Sequence, residues 1–206
     1  NTGGNHNAAF GCKTLLANTT GSYNFAFGYG ALRANTTGSN NVAFGVCALV
    51  SNISGINNFA VGSCASKCNQ GGSNNIAIGC AALYGNRTGC NNVAIGSGAL
   101  SSNASGYGNT AVGTNALYAN TTGVFNTAVG PREVGGTGVL RYNTTGSYNN
   151  AFGTYALFSN TVGQYNTAVG TSALQNNTIG NNNTAVGLNA MASNTTGVSN
   201  TSVGRS

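Results

Sequence analysis

Apolar positions recur along the chain every 17 residues, and they register best on a glycine. The motif is Asn-x-Ala-Φ-Gly, with Φ apolar. Its glycines are Gly11, Gly28, Gly45, Gly62, Gly79, Gly96, Gly113, Gly130, Gly153, Gly170, Gly187 and Gly204, spaced by 17 except for one step of 23 after Gly130. Two positions before the glycine stands Ala, from Ala9 to Ala185, with Ser202 in the last repeat. One position before it stands Phe, Val or Ile, as in Phe10, Phe44, Val61, Ile95 and Val203. β-Branched and aromatic residues suit a strand, and period-two alternation puts them on the face opposite the alanines. A column restricted to alanine implies close approach by another backbone. Four positions after the glycine comes an apolar residue, mostly Leu, from Leu15 to Met191, with Ser66 as the exception. Ten after it comes a second Gly that closes a turn of the N-T-T-G type, where a positive φ is expected. One repeat therefore reads as a strand, a bend, a second short strand through Ala-Leu, and a turn. Two glycines and a turn in 17 residues leave no room for a useful helix.

A 17-residue unit buries no core alone, but a stack of them does. The expected fold is all-β: a parallel β-solenoid (β-roll) of about 12 rungs over residues 1–206. At about 4.8 Å per step the array extends roughly 50 Å. The long step contains a six-residue insertion at 131–136, Pro-Arg-Glu-Val-Gly-Gly, holding the only proline and the only acidic residue. It reads as a loop bulging between rungs, with Arg132 and Glu133 solvated. Repeats run to both ends without a polar capping unit, so the expectation is a piece of a longer protein or rungs that join end to end.

Composition narrows the function classes. Asn (35), Gly (33), Thr (24) and Ser (18) make up more than half of the 206 residues, and only 4% are charged, against roughly 25% in ordinary domains. The lone acid, Glu133, and the lone imidazole, His6, cannot build a Ser-His-Asp triad, a two-carboxylate glycosidase site or a carboxylate cage for Ca²⁺ or Mg²⁺. No enzyme and no cofactor are expected; a polysaccharide lyase would need a cluster of acids, bases or metal ligands. His6 is given no role. The seven basic residues, Lys13, Arg33, Lys67, Arg87, Arg132, Arg141 and Arg205, are scattered, which argues against nucleic-acid binding. No apolar run is long enough to span a membrane as a helix, and no charged-then-apolar leader opens the chain.

The run Asn91-Asn92-Val93-Ala94-Ile95-Gly96 resembles the N-S-V-A-I-G signature of YadA-like trimeric autotransporter adhesin heads, as does Asn74–Gly79. The longer unit from Asn109 to Gly123 is similar to the N-T-A-I-G-x-x-A-L-x-x-N-T-T-G repeats of phage tail-fibre-like and bacterial surface proteins. The resemblance spans about Asn7 to Gly204. It implies a left-handed parallel β-roll, usually trimeric, exposed outside the cell. The adhesin-head repeat is shorter than 17 residues, and no receptor-binding residue carries over.

Three sets of side chains are candidates for chemistry. The Asn seven positions after the motif glycine begins an N-x-Ser/Thr sequon at Asn18, Asn35, Asn52, Asn86, Asn103, Asn120, Asn143 and Asn194, and Asn176 begins one beside it. The column reads as N-glycans on an exposed turn or as asparagines stacked along the array. A second column, Asn24 to Asn200, precedes every strand and reads as a structural ladder. Six cysteines lie in the first half; Cys47 and Cys64 share a column one repeat apart, inside the disulfide window. Cys68 and Cys90 flank a turn in adjacent repeats and are a second candidate pair, while Cys12 and Cys80 have no evident partner. No cysteine spacing or nearby His suggests zinc. Tyr23, Tyr107, Phe125, Tyr148 and Tyr165 read as sugar-stacking or chain-packing groups. The expected function is an extracellular structural protein, the N-glycosylated shaft of a fibre or filament, self-associated as a homotrimer or end to end. The alternative is an adhesin head or phage tail-fibre segment that binds a host surface.

Overall fold

A computed structural model describes residues 2–131 and 138–205. Each repeat contributes one three-residue strand: β1 Ala8–Phe10, β2 Phe25–Phe27, β3 Val42–Phe44, β4 Phe59–Val61, β5 Ile76–Ile78, β6 Val93–Ile95, β7 Thr110–Val112, β8 Thr127–Val129, β9 Asn150–Phe152, β10 Thr167–Val169, β11 Thr184–Val186 and β12 Thr201–Val203. They form one parallel sheet in chain order, each strand pairing with the next in the register of the repeat, as in Ala26↔Ala43. The chain is a β-solenoid. Its sheet passes the insertion without slipping, because Thr127 pairs with Asn150 and Ala128 with Ala151. The expected loop at 131–136 lies, apart from Pro131, outside the described residues.

The coil is narrow, and this explains the alanines. The strand alanines, Ala26 to Ala185, point inward and have no exposed surface. A second alanine column, Ala31 to Ala190, and the leucines after it fill the rest of the apolar interior. The Φ residues point outward, and Phe10, Phe27, Phe44, Ile95 and Phe152 are exposed.

Two local expectations are corrected. The Ala-Leu segment is not a second strand. Its leucines hold φ near +50°, as in Leu32 and Leu49, so the chain turns there while the side chain still reaches inward. The turn glycine is not in the left-handed region either. It is needed for space: a Cβ on Gly72 would fall on the carbonyl oxygen of Gly89 and on the side chains of Asn69 and Asn86. The motif glycine does need its freedom, with φ between +117° and +139° at Gly11, Gly28, Gly45 and most of their successors.

Adjacent glycines give a test of the spatial argument. A Cβ on Gly71 meets nothing closer than 3.5 Å, at Ser54 Oγ. Gly72→Ala should destabilise the protein by about 2 kcal/mol in thermal or denaturant unfolding. Gly71→Ala should be neutral or slightly stabilising.

Candidate functional site

The most concentrated polar chemistry in the molecule is inside it. Two columns of asparagine line the coil beside the apolar stripe: the one before each strand, and the one seven positions after the motif glycine. A buried amide is tolerated only when its hydrogen-bonding capacity is met. Here the rungs above and below meet it.

Asn92 shows the first column. Its Nδ2 donates to Asn75 Oδ1 at 3.2 Å and to the carbonyl of Gly106 at 2.9 Å. Its Oδ1 accepts from the backbone N–H of Asn109 at 3.1 Å and from Asn109 Nδ2 at 3.2 Å. Both donors and both acceptor positions of the amide are used. Asn103 shows the second column. Its Nδ2 donates to Asn86 Oδ1 and to the Gly106 carbonyl, both at 2.9 Å, and its Oδ1 accepts from Asn120 Nδ2 at 2.9 Å. The Gly106 carbonyl thus receives an amide from each ladder and ties the two together. The same bridge occurs at Gly38, with Asn24 and Asn35. This is the carbonyl beside which a Cβ has no room. Both ladders cross the insertion, through Asn143 to Asn120 at 2.9 Å and Asn149 to Asn126 at 3.2 Å.

The turn between the ladders is tied as tightly. The N–H groups of Thr36, Thr37 and Gly38 all point at the carbonyl of Ile53, at 3.0–3.2 Å, and the Thr36 hydroxyl donates to it as well, at 3.1 Å.

This geometry places nearly all of the sequon column inside the coil and not on an exposed turn. Asn35, Asn52, Asn86, Asn103, Asn120 and Asn143 have no exposed surface, and Asn18 is buried too. Their Nδ2, the atom a glycan would take, already spends its hydrogens inside the coil. Asn194, in the last rung, is half-buried and donates to Asn177 Oδ1 at 2.8 Å. Asn176 is exposed and is the member of the set whose side chain stands clear of the ladders. A signal was present: Asn69, Asn160 and Asn177 hold the same column without a sequon, so the position requires the amide and not the motif.

The cysteines are all free thiols in this structure. Cys47 and Cys64 occupy stacked positions, as their spacing predicts. Cys68 and Cys90 are not brought together: they sit in different columns, and Cys90 Sγ is held between the Ser73 N–H at 3.3 Å and the Thr88 carbonyl at 3.4 Å. Among the described residues no cluster of three or more His, Cys, Asp or Glu could hold a metal. Arg132 and Glu133 lie outside the described residues.

The outer aromatic residues stack on one another along the axis. Tyr148 and Tyr165 lie 4.9 Å apart at 5°, Phe125 and Tyr148 5.3 Å apart at 26°, and His6 stacks on Tyr23 at 4.8 Å. In these pairs the ring faces are turned to each other, whereas Tyr107 meets Phe125 edge-on, 5.2 Å apart at 83°. Lys67 Nζ donates to Tyr84 Oη at 3.3 Å, which raises the lysine's pKa above its ordinary value, helped by Tyr84, Cys64 and Cys47 nearby.

No protein-family model matches the chain, and no curated protein and no solved structure matches it. No helix of the described chain is long and apolar enough to cross a membrane.

The ladder makes a quantitative demand. Asn92→Ala strands partners in the rungs on both sides and should cost roughly 3 kcal/mol of unfolding free energy. Asn92→Asp at neutral pH should cost more, because a carboxylate would face the Asn75 Oδ1 and Gly106 carbonyl it can no longer donate to. Asn176→Ala should stay within about 0.5 kcal/mol of the parent. Chemical denaturation of the three variants checks this order.

Proposed function

We propose that this chain is an extracellular structural protein, the shaft of a fibre or filament, whose rods associate side by side with further copies through the outer face of the sheet. The observation that carries the reading is the outward placement of the apolar strand positions. On β2 to β6 both outward residues are apolar: Phe25 and Phe27, Val42 and Phe44, Phe59 and Val61, Ile76 and Ile78, Val93 and Ile95. From β7 onward the first outward position is Thr or Asn, while the second stays Val or Phe. The stripe carries no charge and follows the whole sheet. Contiguous apolar surface of this kind marks an interaction face, and identical rods offer identical stripes.

A homotrimer with three sheet faces turned inward buries the stripe, and so does a lateral bundle. The reading assigns no catalytic group. The work is mechanical: backbone pairing between rungs, backed by two amide ladders, makes a stiff rod that gives proteases little loose chain. Glycans, in this reading, sit at exposed sequons outside the ladders, Asn176 and Asn182.

Sedimentation velocity of the purified chain tests it. The wild type should sediment as a trimer or larger. A Phe27→Lys, Phe44→Lys double variant should sediment as a monomer that keeps the wild-type circular dichroism spectrum, since both side chains are outside the core, while melting below the associated wild type. A wild-type protein that stays monomeric at high micromolar concentration would overturn the proposal. Peptide mapping of protein from an N-glycosylating host should find Asn35, Asn52, Asn86, Asn103, Asn120 and Asn143 bare in the folded fraction; a glycan on any of them there would contradict the ladder.

A further inference from the structure

The six cysteines do not have equal surroundings. Cys12 and Cys80 share a column but lie four rungs apart. Cys68 has Ser51 and Gly85 as its column neighbours. Cys90 takes the place of the serine of its column, where Ser39 and Ser147 make the same pair of contacts through Oγ. Cys47 and Cys64 alone stand in one column on consecutive rungs.

Their backbones are locked in that stack. The Cys47 N–H donates to the Tyr29 carbonyl at 2.9 Å, and the Cys64 N–H donates to the Val46 carbonyl at 2.8 Å. Both residues have nearly the same φ, 55° and 58°, so their side chains leave the coil in parallel. A rung step of about 4.8 Å lies inside the disulfide range of Cα separations, about 4.4–6.8 Å. Gly30 holds the same column one rung earlier, and a Cβ there would lie 3.8 Å from Cys47 Sγ. The Cys47 thiol thus lies along the axis on the Gly30 side, and a rotation about its Cα–Cβ bond turns it toward Cys64. Both cysteines are half-buried, which leaves them open to a small oxidant.

Lys67 adds the electrostatics. Its ammonium lies 5.3 Å over the Tyr84 ring and is hydrogen-bonded to the Tyr84 hydroxyl. Cys64 and Cys47 are both close enough to interact with that charge.

We propose that Cys47 and Cys64 form a disulfide between adjacent rungs, a redox staple in the first half of the solenoid. With a small-molecule disulfide as oxidant, one cysteine thiolate attacks it and releases one small thiolate, leaving a mixed disulfide. The second cysteine thiolate then displaces the other small thiolate. Two protein thiols are oxidised, one small disulfide is reduced to two thiols, and the two protons end on the released thiols. The bond closes a one-rung loop and restricts the unfolded chain. It also holds two neighbouring rungs against local opening.

The sequence makes the test clean. Trypsin cuts after Arg33 and Lys67, and the peptide between them contains Cys47 and Cys64 and no other cysteine. The full chain is equilibrated with glutathione disulfide, unfolded, alkylated without reduction, digested and weighed. The expected peptide 34–67 is two hydrogens lighter than the reduced form and carries no alkyl group. The oxidised protein should melt several degrees above the reduced one, and Cys47→Ser and Cys64→Ser should each abolish the difference. An alkyl group on either cysteine after oxidation, a cross-link from either to Cys68 or Cys80, or equal melting of the two forms would overturn the proposal.

Discussion

The structure depends on one constraint: an amide buried in the coil must find its partners one rung away. A rung of 17 residues is too small to have an interior of its own. What it has is a set of groups aimed along the axis, Asn92 toward Asn75 and Asn109, Asn103 toward Asn86 and Asn120. Each pair also shares a glycine carbonyl. An extra residue inside a rung would rotate an amide out of line and leave donors unpaired in three rungs. The 23-residue step nonetheless leaves both ladders in line. Asn143 and Asn149 find Asn120 and Asn126 across it, so the six added residues are accommodated without moving either ladder.

The ladders also offset a backbone that is costly in isolation. Three corners of the rung use left-handed φ values on residues other than glycine, among them Leu32 at 50°, Cys47 at 55° and Tyr148 at 59°. Such a residue costs roughly 1–2 kcal/mol. A single rung could not hold these corners. In the stack, the corner leucines from Leu32 to Leu174 are buried without exposed surface, and each N–H is bonded to the next rung, as Leu32 is to the Ala48 carbonyl at 3.0 Å. Stability in such an array is a property of neighbours rather than of units. Aligned chains of amide hydrogen bonds add cooperativity to it.

Much of this was legible in the sequence, and the misreadings share a cause. The period, the strand at Asn-x-Ala-Φ-Gly, the parallel register and the opposed faces of Ala and Φ all follow from spacing. Which side is inside does not. Phe27 and Phe44 look like core residues and Asn35 looks like a surface residue, because large apolar groups are usually buried and amides usually exposed. The coil reverses both, since its bore admits alanine beside the strand and its rungs satisfy the amides. The same blindness to curvature made the Ala-Leu segment look extended and made Gly72 look like a matter of φ when it is a matter of space. Among the cysteines, the column that joins Cys47 to Cys64 was readable. The serine-like role of Cys90 was not, because it depends on hydrogen bonds to Ser73 and Thr88.

The measurement that bears most directly on this account is hydrogen exchange of the asparagine side-chain amides, followed by NMR on the ¹⁵N-labelled protein. If the ladders hold the molecule together, the Nδ2 protons of interior members such as Asn58, Asn75, Asn92, Asn103 and Asn166 should exchange as slowly as the strand backbone amides. Those of exposed Asn176 and Asn182 should exchange at rates near those of a free side chain. Fast exchange at the interior positions, while the strand amides stay protected, would contradict it.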